Sequence, residues 1–343
     1  MERIYPLTFK EIEEIFLEKP WGGDMLGRKF GKAIPDGVKI GESWEVSDYW
    51  NVSDEGETVP AVVSVVGNGP LAGQTLHEVM EQWGEALLGR RARKTPGGLF
   101  PLLFKLLDAH DWLSIQTHPD DEAALRFNEP DVGKAEMWYV LHSEGNPQMV
   151  FGLKQGVTED QFRDGIETET LEPLLNMVEV NEGDAFAIMP GTVHTIGDGI
   201  VVAEIQQNSD LTYRVYDYGR VMSDGTKREL HIDKAVATID FGAPPPGKIV
   251  PEVTTRDGNA HKLLCSCKYF EAELVEVDSG KLEQKLDGGS FHIVFVVEGE
   301  PVLESSGAVP SQTLRRAQTA LVPAGLEGYT IEGRCRLLRY WVP

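Results

Sequence analysis

The chain has 343 residues, 41% hydrophobic and 25% charged, which is ordinary for a soluble globular protein and more than one compact core organises. No apolar run approaches the ~20 residues that span a bilayer, and the N-terminus Met1-Glu2-Arg3-Ile4-Tyr5-Pro6 has no signal-peptide core. A net charge of −23, from 55 acidic against 32 basic residues, argues against sequence-independent nucleic-acid binding.

The acidity does not exclude a small anionic substrate, because fields are screened beyond ~8 Å and only local cations matter. Three cysteines, Cys265, Cys267 and Cys335, are an odd count in a long chain. They read as small buried hydrophobes in a reducing cytoplasm, not as a disulfide framework.

In chain order, Lys19-Pro20-Trp21-Gly22-Gly23 is a tight turn, and Gly41 to Ser47 alternates as a strand with Ser43, Glu45 and Ser47 on one face. Residues 72–89 carry helical spacing. Leu102 to Leu107 is an apolar strand interrupted by Lys105. In Leu113 to His118 a strand puts Ser114, Gln116 and His118 on one face. A short helix follows over Asp120 to Phe127.

Met137 to Leu153 reads as a hairpin turning at 143–147. Thr158 to Val178 reads as a helix opened by a Thr158/Gln161 capping box. Strands are expected at 185–189, 193–196, 200–207 and 211–216. The Pro-rich stretch 242–247 is the best linker.

Residues 248–343 resemble a worn copy of the middle. His292 to Gly299 echoes Glu136 to Leu141 and its turn, and Gln318 to Gly325 echoes Asp184 to Gly191. Tyr329-Thr330-Ile331 stands where the middle has His194-Thr195-Ile196. Many short strands with Gly/Pro turns give a mainly β fold of two jelly-roll or sandwich units with a few helices. The second unit carries no ligands.

Gln116, His118, Glu136 and His194 all fall in short strand contexts and together form a mixed N/O set suited to Zn²⁺ or another divalent first-row ion. His77, His110, His142, His231 and His261 read as surface groups, and His292 as structural. Lys105 is either an edge-strand lysine that snorkels or one aimed at an anion. Lys134 lies two residues before Glu136. Arg214, within Thr212 to Asp217, is either paired with a carboxylate or held for an oxyanion or phosphate.

Taken in order, these motifs resemble the type I phosphomannose isomerases, cupin-fold metalloenzymes, in their shorter bacterial branch. The likeness rests on Lys19 to Gly23, Gly41 to Ser47, Phe104 to Asp108, Gln116 to Asp120, Gly133 to Tyr139, Pro190 to His194 and Thr212 to Asp217. It implies a cupin catalytic domain over 1–242 and a degenerate cupin-like domain over 248–343. It implies one zinc ion held by Gln116, His118, Glu136 and His194, with Arg214 catalytic, Lys105 and Lys134 near substrate, and Ser47 and Asp210 lining the pocket. Ala135 stands where longer relatives carry Pro, and their large helical insertion is missing here.

The implied reaction interconverts mannose 6-phosphate and fructose 6-phosphate through an enediol. For the general base, Lys134 competes with a water on the metal and with Asp210, while Lys105 and Arg214 jointly take the phosphate. A non-haem iron oxygenase and a non-catalytic sugar-binding cupin are the alternatives. Nothing in the sequence speaks to oligomeric state.

Overall fold

The computed structural model describes residues 4–52, 58–222, 225–305 and 310–343. Residues 1–3 of the N-terminal stretch read above lie outside them. The main strands of the first half are β1 Glu42–Val46, β2 Leu102–Ala109, β3 Ile115–Thr117, β4 Glu136–Ser143, β5 Gln148–Leu153, β6 Leu175–Glu179, β7 Ala185–Ile188, β8 His194–Ile196, β9 Ile200–Gln207 and β10 Tyr213–Tyr216, beside a separate Asp48–Val52/Thr58–Val63 pair. One sheet runs β7-β4-β9-β2-β1, with Phe16–Leu17 at its edge, and a second runs β6-β5-β8-β3-β10. Every pairing in the two sheets is antiparallel.

The second half repeats this plan with β11 Asn259–Ser266, β12 Glu271–Val277, β13 Lys281–Lys285, β14 His292–Glu298, β15 Val302–Ser305, β16 Thr319–Val322, β17 Gly328–Glu332 and β18 Cys335–Trp341. Its large sheet runs β16-β14-β18-β12-β11, flanked by Leu7–Thr8 and Val253–Arg256, and its small sheet β13-β17-β15 ends in Gln312–Thr313. The chain is thus two cupins, mostly β. The suspected internal copy holds at the level of register: Ile188 pairs with Glu136 as Val322 pairs with His292.

Strand alternation explains how the halves join. Leu102, Phe104 and Leu106 belong to a core shared with the second cupin, whereas Leu107 and Ala109 belong to the first cupin's interior. On β4, Met137, Tyr139 and Leu141 take the shared side, and Trp138 and Val140 the inner one. A period of two therefore divides each strand between two cores, and both faces of the sheet are covered. Phe104 lies 5.2 Å from Phe295 and 5.1 Å from Tyr340, and Phe100 lies 4.6 Å from Phe291, between ring centroids. The two large sheets pack back to back, so each cupin's interior opens away from the other.

Several expectations change. The 137–153 segment is no hairpin, because β4 and β5 belong to different sheets and the 143–147 turn carries the chain from one to the other. The capping box at Thr158 and Gln161 is present, but the helix runs only over Glu159–Glu167. Glu169 then takes a left-handed φ of 56°, Pro173 sits in a 3-10 turn, and the chain becomes β6. The 72–89 helix is two, Leu76–Trp83 and Glu85–Leu88, broken at Gly84 with φ 49°. Helix Asp121–Arg126 follows β3 as expected, capped by Asp120.

The Pro-rich linker lies against the first cupin, where a Cβ on Gly152 would meet Pro246 at 2.4 Å. Cys265 and Cys335 are buried, Cys267 is half-buried, and all three are free thiols. Among the described residues no helix is long and apolar enough to cross a membrane.

Candidate metal centre and its cavity

Register places the site. On the small sheet, Gln116 pairs with His194 on one side and Arg214 on the other, so three neighbouring strands carry the three side chains abreast. On the facing sheet, Glu136 pairs with Gln206, and Glu204 pairs with Lys105. His118 follows β3 directly. Its carbonyl accepts from the Gly191 amide at 2.9 Å, which ties it to the turn that delivers His194. In that turn the Thr192 amide donates to the Met189 carbonyl at 3.1 Å, and Gly191 has a φ of 81°. Pro at the second position and a left-handed Gly at the third make a type II turn.

His118, Glu136 and His194 converge, with one ligand atom from each lying within 4.8 Å of the others, and all three residues are buried. The Nδ1 of His118 is 2.7 Å from the Leu211 carbonyl, and that of His194 is 2.9 Å from the Thr192 carbonyl. A carbonyl can only accept, so each Nδ1 carries the proton and each Nε2 presents a lone pair. Both Nε2 atoms lie 3.3 Å from Glu136 Oε1. His118 Nε2 and both Glu136 oxygens are buried without a hydrogen-bond partner. Such orphaned acceptors are costly unless something positive sits between them.

Burial, with Lys134 nearby, pushes the His118 imidazole down to about 3, so it stays neutral. Burial alone would raise Glu136, but Lys134 and His118 hold its carboxyl well below the usual range. Two neutral imidazoles and a carboxylate fit a divalent cation. Gln116 completes the rim. Its amide nitrogen lies 3.4 Å from His194 Nε2, and half a turn of the amide puts Oε1 there instead.

The cavity beside these groups measures about 240 Å³ and is lined by Lys105, Lys134, Asp210 and Arg214 among others. Lys105 does not snorkel. It is buried, 3.4 Å from Glu42 and 3.3 Å from Glu204. Burial would lower its ammonium, but Glu204 and Glu42 outweigh that and raise it. Lys134 Nζ lies 3.5 Å from Glu136 Oε2. Asp210 is exposed at the rim, its amide donating to Asp131. Ser47 is not brought to the cavity: it is fully buried and its hydroxyl donates to the Val62 carbonyl at 2.5 Å.

Arg214 differs from the other cations. Lys19 pairs with Glu42, Lys105 with Glu42 and Glu204, Lys134 with Glu136, and Arg228 with Asp217. Arg214 has no salt-bridge partner among the described residues. Its Nε donates to Ser114 Oγ at 3.2 Å and its Nη1 to the Glu229 carbonyl at 3.0 Å. Ser114 Oγ in turn donates to Gln116 Oε1 at 3.3 Å, and after that half-turn it faces the amide nitrogen instead, so the arginine is linked to Gln116 in either orientation. Burial, with Arg228 nearby, lowers the guanidinium from its ordinary value, and it remains charged.

Sequence reasoning missed Glu42, Glu204, Arg228 and His231. Glu204 sits in the apolar run of β9 as Lys105 sits in β2, and the two interruptions are cross-strand partners. Burial and Glu136 push Glu204 up to about 7. Burial opposes ionisation of Glu42 too, but Lys105 and Lys19 bring it down to about 2. His231, expected at the surface, lines the cavity, and its Nδ1 accepts from the Arg214 amide at 3.3 Å. His261, also expected at the surface, is buried against Glu273 in the second cupin.

Comparison with known proteins places the chain in a family. Residues 9–164 match the family model "Phosphomannose isomerase type I, catalytic domain", and residues 260–342 match "Mannose-6-phosphate isomerase, cupin domain". A probable mannose-6-phosphate isomerase GmuF of Bacillus subtilis is 35% identical over 331 residues, covering 95% of this chain and 97% of that one. The mannose-6-phosphate isomerase of Streptococcus mutans is 32% identical over 95% of this chain and 97% of its own. The crystal structure of the mannose 6-phosphate isomerase from Bacillus subtilis superposes with a TM-score of 0.83 at 33% identity, over 98% of this chain and 99% of that one. Full-length identity at this level, on the same two-cupin frame, makes this chain a member of the type I phosphomannose isomerase family.

Proposed function

We propose that the chain interconverts mannose 6-phosphate and fructose 6-phosphate, with a zinc ion held by Gln116, His118, Glu136 and His194. The observation that carries this reading is the buried convergence of His118, Glu136 and His194, with acceptors on His118 and Glu136 that lack hydrogen-bond partners, beside a cationic cavity. The relatives support an isomerase and give no support to the oxygenase or the non-catalytic sugar-binding alternative. The division into a catalytic cupin over 1–242 and a second over 248–343 belongs to the same proposal. So does a cytoplasmic setting, for which the three free thiols are the support.

A divalent ion in this site supplies Lewis-acid polarisation of the substrate's carbonyl and hydroxyl oxygens. The chain's own residues do the rest. Arg214, whose charge is not spent on a carboxylate, faces the anionic part of the substrate and oxyanion character as it develops. Lys105 is neutralised by Glu42 and Glu204, which argues against the phosphate role given to it jointly with Arg214. It instead holds two carboxylates in place as acceptors for sugar hydroxyls. Lys134, at the cavity wall beside Glu136, is the side chain assigned to move the proton between C2 and C1, with Asp210 at the rim as the carboxylate rival.

The test is a coupled assay on mannose 6-phosphate with protein as isolated, after chelation, and after adding back Zn²⁺, with metal content read in parallel. Activity lost on chelation and restored by the metal is the expected result. Bound metal at one per chain without sugar-phosphate turnover overturns the activity, and full activity without metal overturns the site. Near-normal turnover in Lys134→Ala removes that residue as the base.

A further inference from the structure

We propose that the second cupin is a binding module in its own right, with a pocket for a neutral, polyhydroxylated ligand of pyranose size at the position equivalent to the catalytic cavity. The inference does not depend on the isomerase reading. A cavity of about 640 Å³ opens there, larger than the 240 Å³ beside the metal centre and within the ~300–1,000 Å³ usual for small-molecule sites.

Strand register shows what became of each catalytic position. His292 stands where the first cupin has Glu136, since each pairs with the corresponding residue of the next strand. Gln284 pairs with Tyr329 as Gln116 pairs with His194. Two residues further on, Leu286 stands for His118. One amide is retained and three ligands are replaced, so this is no second metal site.

The polar floor is retained with its charges reversed. In the first cupin Glu204 and Lys105 are cross-strand partners, and Glu42 reaches Lys105 from the next strand. In the second, Arg339 and Glu273 are cross-strand partners and ion-paired, and His261 reaches Glu273 at 3.1 Å from the next strand. The bulge falls at the same place in both, between Trp44 and Val46 and between Leu263 and Cys265. Arg339 also donates to Gln284 Oε1.

All of this is buried: Arg339 is 5% exposed, Glu273 4% and His261 3%. Arg339 Nε and His261 Nε2 still lack hydrogen-bond partners. A buried ion pair with an unsatisfied donor on Arg339 and an unsatisfied acceptor on His261 is a poor way to stabilise a fold, because desolvation offsets its attraction. It is a good way to present fixed, planar hydrogen-bonding groups to a ligand.

The charge balance selects the ligand. Among the described residues the catalytic cavity is lined by five basic against three acidic side chains, which suits a phosphate. The second cavity has four of each. Arg339 is spent on Glu273 and Arg91 on Asp287, and Arg256 and Lys285 share the lining with Glu252 and Glu271. The lining among the described residues therefore carries no net positive charge to favour an anion. What remains is an aromatic wall, Trp341, with the Arg339 guanidinium 5.3 Å from its ring and the His292 ring 5.6 Å away. His292 Nδ1 is held by the Tyr329 hydroxyl at 3.0 Å, and burial keeps the imidazole neutral, so Nε2 is the nitrogen left for a hydroxyl. An amphipathic ring beside mixed donors and acceptors fits the apolar face and equatorial hydroxyls of a pyranose.

The test uses the full-length protein and methyl α-D-mannopyranoside, which carries no phosphate and cannot open to isomerise. Titration by calorimetry and saturation-transfer NMR should show binding that survives Arg214→Gln in the catalytic cavity. Trp341→Ala and Gln284→Leu should each weaken it at least about tenfold with isomerase turnover near normal; Trp341→Ala should also keep the melting temperature, whereas Gln284→Leu lowers it somewhat because Arg339 loses an acceptor. No binding of this glycoside, or of glucose and xylose pyranosides, at millimolar concentration overturns the proposal. So does binding that persists in both second-cupin variants, or is lost in Arg214→Gln, and so does displacement by inorganic phosphate, which would make the pocket an anion site.

Discussion

Replacing Lys105 by methionine removes the ammonium that two buried carboxylates share. At 3.3 and 3.4 Å, each attraction is worth about 5 kcal/mol at an effective dielectric near 20, against a desolvation penalty of several kcal/mol for the ammonium itself. Breaking a buried pair this way costs ~3–5 kcal/mol. Glu42 keeps Lys19 at 3.1 Å, so the exposed loss is mainly that of Glu204, whose other partner is the neutral Trp138 indole at 2.7 Å. We expect Lys105→Met to lose about 3 kcal/mol in denaturant titration at matched metal content. Lys105→Met/Glu204→Gln should recover about 2 kcal/mol of that, since the amide still accepts from Trp138 and no longer carries charge. A single variant that loses less than about 1 kcal/mol, or a double variant no better than the single, would show that the triad's charges are not desolvated as the structure has them.

Arg214→Gln should leave stability almost unchanged, because its partners are a hydroxyl and a carbonyl, yet lower kcat/KM for mannose 6-phosphate by about 100- to 1,000-fold; a loss below tenfold in steady-state kinetics would count against it. Gly191→Ala places a methyl group 2.4 Å from the Thr238 carbonyl at a φ of 81°. It should cost ~1–3 kcal/mol and, by shifting the turn before His194, lower metal occupancy by mass spectrometry under native conditions; full occupancy at unchanged melting temperature would refute this. Asp108 is fully buried, and burial pushes its carboxyl up to about 6 against the pull of the Met25 and Leu26 amides. The folded state therefore binds this proton more tightly than the unfolded chain does near ~4, so its contribution is complete below that pH and roughly 2–3 kcal/mol is lost as pH rises through about 6. Asp108→Asn should flatten stability between pH 4 and 7, and an unchanged slope in denaturant titrations across that range would sink the assignment.

The converging His118, Glu136 and His194 stood out in the sequence by residue type and strand context, and the family resemblance, not spacing, joined them with Gln116 into one proposed ligand set. Their neighbours did not stand out. Glu204 and Glu42 lie in strands buried on both faces, where the alternation that marks an inward side chain is absent from the sequence. The 143–147 turn reads alike whether the flanking strands pair or part, and only long-range register sends β4 and β5 to opposite sheets. Helical spacing persisted to Val178 past the true end at Glu167, because β6 needs apolar residues too and packs them into the same core as the helix. His231 was placed at the surface for its charged neighbours, yet one of them, Arg228, lines the same cavity.

The two cupins separate what the fold demands from what the chemistry demands. Phe104 and Tyr340 meet across the shared core, and alternation then forces Lys105 and Arg339, one residue away on each strand, into opposite interiors. Each interior must satisfy a buried charge at that position or do without one. The first sets a lysine between two glutamates, and the second sets a glutamate between an arginine and a histidine. Both solutions close the floor of a barrel, so closure does not dictate the sign. The sign matters only to what enters from above. The proposed role of the first cupin accords with this: among the described residues its Arg214 has no carboxylate partner, and it lies on a strand for which the small sheet of the second cupin has no counterpart.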